Sequence, residues 1–278
     1  MASFRSAARA ASALFFLTCL SSAAARAENA QPLAPHRAVY DLALLKGAGA
    51  KAPTQARGRI AFDFSGSACD GYVQNFRQIT ELTPEEGATQ VSDMRSNTFE
   101  SGDGGEYRFK ITTKTNGTES DESDGVAKKL KPPSVQLDLA KPKRAKLDFS
   151  GPILFPTEHM RRIIAAAREG QKTLEARVYD GSGDGSKVFE TLSIIGKAAP
   201  ADATEKPFQL DAFKNMKRWP VSIAYFEADQ KDQPPAYTLV LDLFENGVTH
   251  SLKLDYGDFT LGATATALSL LPAPKCDK

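Results

Sequence analysis

The 278-residue chain carries 35 lysines and arginines against 34 aspartates and glutamates, a formal charge of +1, with 41% hydrophobic residues. That even balance gives no electrostatic argument for nucleic-acid binding, which wants a strongly basic face. The length suits one large β domain or two small ones.

Residues 1–27 read as a secretory signal. Arg5 and Arg9 form its basic segment, 11–20 its apolar one, and Ala25-Arg26-Ala27 a cleavage site. The apolar run is about half of the ~20 residues that span a bilayer, which argues against a permanent membrane helix. Cys19 raises the alternative of a lipoprotein signal, but Thr18 and Phe16 stand where that processing favours a small residue and a leucine. Cys19 is therefore expected to leave with the leader, and 28–278 to form a single exported domain. Loss of Arg5, Arg9 and Arg26 leaves that domain with a formal charge of −2.

Along the rest of the chain, alternation of apolar and polar residues is the dominant signal. After an extended lead-in over 28–35, strands are predicted at 36–46 (Ala38, Tyr40, Leu42 and Leu44 on one face), 59–64 (Ile60, Phe62 and Phe64 inward) and 72–82. Strands 90–101 and 106–115 flank Gly102-Asp103-Gly104-Gly105, where glycines accept the positive φ angles of a tight turn. The acidic 118–124 reads as an exposed loop. Lysine-rich 128–131 and 141–144 read as solvated loops around short strands at 135–139 and 146–149, with contact to anionic lipid or glycan as the alternative.

A helix is predicted near 157–169. Thr157 serves as N-cap, Glu158 complements the dipole, Met160, Ile163, Ile164 and Ala167 form one apolar stripe, and Gly170 ends it. Arg161, Arg162 and Arg168 then face solvent. Strands resume at 174–180 and 187–195, a short helical turn falls within 210–216, and 219–227, 236–244, 248–256 and 259–271 complete the chain. Asn246-Gly247 is the strongest hairpin mark. The fold is read as mainly β: a single large coiled antiparallel sheet, spiral or barrel-like, of about a dozen or more strands with one main helix. Two packed sheets are the alternative.

Cys69 and Cys276 are the thiols left once the leader is gone. An even count in an exported chain points to an oxidising compartment and one disulfide, against the alternative of two unpaired buried thiols.

Candidate chemistry is sparse. Asp180-Gly181-Ser182-Gly183-Asp184-Gly185 begins like a calcium loop, but Thr191 stands where the bidentate acid belongs, so a hairpin turn is preferred. His36, His159 and His250 show no metal spacing. There is no G-x-S-x-G elbow and no P-loop. Asp93, Glu100, Asp103 and Glu106 cluster about one hairpin, where paired carboxylates would do acid–base work only if buried together. The aromatic residues Tyr40, Phe62, Phe76, Tyr107, Phe109, Trp219, Tyr225, Phe226, Tyr237 and Tyr256 occupy inward-type positions. They are read as core, with room for an apolar groove that takes an acyl chain or a peptide.

The order of elements resembles the periplasmic cell envelope integrity proteins, EipB-like. The resemblance rests on Cys69-Asp70-Gly71-Tyr72, Phe99-Glu100-Ser101, Phe155-Pro156-Thr157-Glu158-His159, Val178-Tyr179-Asp180-Gly181-Ser182, Trp219-Pro220-Val221, Glu245-Asn246-Gly247-Val248, Tyr256-Gly257-Asp258-Phe259 and Cys276. It implies a secreted β-spiral with a Cys69–Cys276 disulfide, a role in envelope integrity under stress, and a periplasmic tetratricopeptide-repeat protein as partner. It implies no catalytic residue, metal or cofactor. The expected function is non-enzymatic and exerted through protein–protein contacts. A lipid- or lipoprotein-binding carrier is the alternative, and a hydrolase of an envelope polymer the weakest reading.

Overall fold

The computed structural model describes residues 32–49, 52–131, 133–200, 206–228, 233–274 and 276. The predicted leader, with Cys19, lies outside them, as does part of the 197–207 loop. The strands are β1 His36–Gly47, β2 Gln55–Ser67, β3 Gly71–Thr83, β4 Gln90–Glu100, β5 Glu106–Thr115, β6 Thr118–Leu130, β7 Ser134–Lys141 and β8 Ala145–Ser150. The helix α1 Pro156–Arg168 follows, then β9 Thr173–Val178, β10 Phe189–Ile195, β11 Arg218–Glu227, β12 Tyr237–Phe244, β13 Thr249–Asp255 and β14 Phe259–Leu270.

Every strand pairs with its sequence neighbours except β8 with β9, and β1 also pairs with β14, so all fourteen strands form one antiparallel sheet. Its order runs from β8 back to β1, then from β14 back to β9. The free edges are therefore β8 and β9, and α1 is the segment that carries the chain from one to the other. Among the described residues no ladder closes the sheet. The edges are tied by a parallel bridge between Leu154 and Val178 and by Arg177, whose Nη1 donates to the Ser150 carbonyl.

The connection fills the inside of the coil. Ile163, Ile164 and Ala167 of α1 pack with Phe64 and Tyr72 from β2 and β3, and with Phe189, Trp219 and Leu243 from β10–β12. Each isoleucine buried this way contributes roughly 1.5–3 kcal/mol, so one stripe holds both halves of the sheet. A second cluster joins Tyr40, Leu42 and Ile60 to Phe208, Phe213 and Phe244, and a third gathers Tyr107, Phe109, Leu137, Phe155 and Tyr179. Gly247, in the β12–β13 turn, has Leu33 so close that a Cβ would lie 2.6 Å from its side chain, which docks the lead-in.

Four expectations need correction. The acidic 118–124 is not a loop but the first half of β6, because its charges meet opposite ones across the ladder: Glu122 lies 3.7 Å from Lys110 and 3.4 Å from Lys141. Lys128 and Lys129 are likewise not in a loop but in the second half of β6, while Lys131 is an exposed turn residue. Lys128 pairs with Glu106 at 3.1 Å, and Lys129 pairs with Glu158 of α1. Thr157 is not the N-cap. The helix starts at Pro156 with Phe155 at the cap position, and Phe155 offers no side-chain bond. The cap comes instead from β4: Glu100 accepts from the backbone N–H of Thr157 at 2.7 Å and of Glu158 at 2.8 Å. Finally, Phe226 cannot share the inward face of Tyr225, since successive strand residues point to opposite faces. The far end of α1 does stop at Gly170, where Gly170 N–H bonds Ala167 and Gln171 N–H bonds Ala166, satisfying carbonyls left over by the helix.

Cys69 lies in the β2–β3 turn and Cys276 past the end of β14. A disulfide joins them with Cα atoms 5.9 Å apart, and both residues are exposed. The approach follows from register. His36 pairs with both Leu270 and Phe64, so the ends of β14, β1 and β2 lie side by side where the tail leaves the sheet.

Candidate functional site

A chamber of about 490 Å³ lies between the two halves of the sheet and α1. Alternate residues along strands share a face. Phe62 and Phe76 of β2 and β3, Met94 of β4 and Ile111 of β5 therefore line it from one half, and Leu239, Leu252 and Leu254 of β12 and β13 from the other. These seven side chains are only half-buried: Phe62, Phe76, Leu239, Leu252 and Leu254 pack against the core clusters on one side and border the chamber on the other.

One polar end is built on the 180–186 loop, where Asp180 and Ser182 face the chamber beside Thr157 and His159. Three hydroxyls anchor this loop. Tyr107 donates to the Asp180 carbonyl at 3.0 Å, Ser123 to that of Gly181 at 2.7 Å and Tyr179 to that of Gly185 at 2.6 Å. Gly181 has φ +74°, and a Cβ there would lie 2.5 Å from the Phe109 ring. Gly181 and Gly185 thus serve close packing, and no group of three His, Cys, Asp or Glu among the described residues converges to hold a metal. Substituting Gly181→Ala is expected to cost about 2–4 kcal/mol, from left-handed backbone strain plus overpacking, read as a lower urea midpoint with unchanged slope.

Asp180 keeps its carboxylate inside the protein. Burial pushes its carboxyl above the ordinary value, opposed by the Ser182 N–H that donates to Oδ1 at 2.9 Å. Burial drives the His159 ring down to about 4, so it is neutral at pH 7, with Nε2 3.4 Å from the Thr191 hydroxyl. At the other end His36 is also pushed down by burial, its Nδ1 2.7 Å from the Ala34 carbonyl.

The other candidates do not converge. Asp93 binds Arg77 and Arg95 and is held down at about 2, first by the Arg77 hydrogen bond. Glu106 pairs with Arg108 and Lys128, Asp103 accepts from Ser101, and Glu100 caps α1. His250 does not line the chamber. Asp242 at 3.5 Å and Ser251 Oγ at 3.0 Å approach the same ring nitrogen, Nδ1, whereas a nucleophilic relay needs them on opposite nitrogens. Glu100 and Asp180 had no linear signal for their roles, because α1 and Ser123 are far along the chain from them.

A family model described as EipB-like matches residues 27–272. The chain belongs to the EipB-like family. It is 36% identical over 274 residues to the cell envelope integrity protein EipB of Brucella abortus (strain 2308), covering 98% of this chain and 96% of that one. Its fold is similar to the crystal structure of a beta-barrel-like protein of a domain of unknown function from Brucella abortus. That likeness has a TM-score of 0.80 and 35% identity, and covers 86% of this chain and 99% of that one. This EipB-like chain thus has the mainly β, single-sheet fold expected of it, with the helix in place.

Proposed function

We propose that this EipB-like chain is exported to the periplasm by residues 1–27 and supports bacterial envelope integrity without catalysis, by holding an apolar ligand in its chamber. The chamber carries this reading: its volume falls in the ~300–1,000 Å³ range of ligand sites, and its walls are apolar side chains from both halves of the sheet. The envelope setting is supported by the name of the Brucella abortus relative. The carrier reading is thereby preferred to action solely through protein contacts, such as one with a tetratricopeptide-repeat protein.

Native mass spectrometry of protein purified from the envelope fraction tests it. The wild type is expected to carry an acyl-chain mass, and Ile111→Trp, which fills the chamber, to lose it at a similar melting temperature. A ligand-free wild type recovered in a stable complex with another protein would overturn the chamber in favour of protein contacts.

A further inference from the structure

The geometry points to a ligand that carries an ammonium group on its apolar chain, the cation seated against Asp180 beside the stacked rings of Tyr225 and Tyr237. This rests on the chamber reading and adds the chemistry of the head group. Asp180, half-buried, faces the chamber just past the end of β9. Ser182 N–H donates to it, yet among the described residues no lysine or arginine pairs with it. The acids outside the chamber differ: Asp93, Glu106 and Asp242 each hold a cation of the protein. Among the described residues no lysine or arginine lines the chamber, and its histidines are kept neutral by burial.

A buried carboxylate without a counter-charge is costly, and a ligand cation removes that cost. The surroundings suit such a cation. Tyr225 and Tyr237 stack at 4.5 Å and line the same chamber as Asp180. Aromatic faces attract ammonium groups. The three hydroxyls anchoring the 180–186 loop hold the carboxylate in place before a ligand arrives, which reduces the ordering cost of binding. Beyond this end the walls are apolar and fit a chain.

Calorimetric titration at pH 7 with dodecylammonium, dodecanol and dodecanoate tests the head group. Dodecylammonium is expected to bind about ten- to a hundredfold tighter than dodecanol, the range for a hydrogen bond to a charged group. Asp180→Asn should remove that preference, so that dodecylammonium and dodecanol bind alike. Tighter binding of dodecanoate, equal binding of all three, or a preference that survives in Asp180→Asn would overturn the inference while leaving the chamber. The head-group order of the wild type decides even where the variant does not fold. Failure of all three to bind would remove the chamber reading as well. Lysophosphatidylethanolamine binding as tightly as dodecylammonium assigns the ammonium to a lipid headgroup, and binding confined to dodecylammonium assigns it to a free amine.

Discussion

Cys276→Ser lowers the melting temperature by about 10 °C, and Cys69→Ser does the same. The bond joins residues 207 positions apart, so it constrains the unfolded chain over most of its length. Chain entropy places a loop of that size at roughly 5 kcal/mol, and native disulfides of exported domains contribute about 2–5 kcal/mol. A domain of this size loses about 2–4 °C per kcal/mol. Both cysteines are exposed and bury little in the folded protein, so the effect resides in the unfolded state. Differential scanning calorimetry of the wild type with and without reductant should reproduce the shift of either variant. A shift under about 2 °C would show that the loop is already constrained without the bond.

The second large effect belongs to Glu100. Glu100→Ala leaves the first N–H groups of α1 without their acceptor, at a cost of about 2–4 kcal/mol and a melting temperature lower by roughly 5–10 °C. The same residue gives a pH dependence. Burial pushes its carboxyl from 4.5 up to about 7, the bonds from Thr157 and Glu158 acting against that rise. Between these values the folded chain holds a proton that the unfolded chain releases. The stability it contributes is therefore complete below about 4.5 and is lost as pH rises to 7. Glu100→Gln cannot titrate. In urea denaturation at pH 4.5 and 7.5, the wild type should lose about 3 kcal/mol more than this variant. Equal losses would mean that Glu100 is ionised throughout.

Most strands were legible because one face of each is buried and the other wet, which writes a period of two into the sequence. Ala38, Tyr40 and Leu42 in β1 follow it, as do Trp219, Val221, Ile223 and Tyr225 in β11. β6 was not legible. Its first residues are exposed and acidic, and what makes them a strand is charge on β5 and β7. The helix was readable from its stripe and from Gly170, but its N-terminus was not, because the capping oxygens arrive from β4.

The candidate site divides the same way. That apolar side chains would line a face was evident from Phe62, Phe76 and Leu239. Which of them pack and which border a chamber depends on how far the sheet coils around α1, a property of the whole sheet. Asp180 looked like one acid of a glycine-rich turn. The sequence by itself determined most of the strands, the helix and the thiols available for pairing, because local alternation, capping glycines and composition act over a few residues. Only the tertiary structure decided that β1 joins β14, that Glu100 caps α1 and that Asp180 faces an apolar chamber lined, among the described residues, by no lysine or arginine. Each of those depends on residues brought together from distant strands, and no local pattern encodes such an encounter.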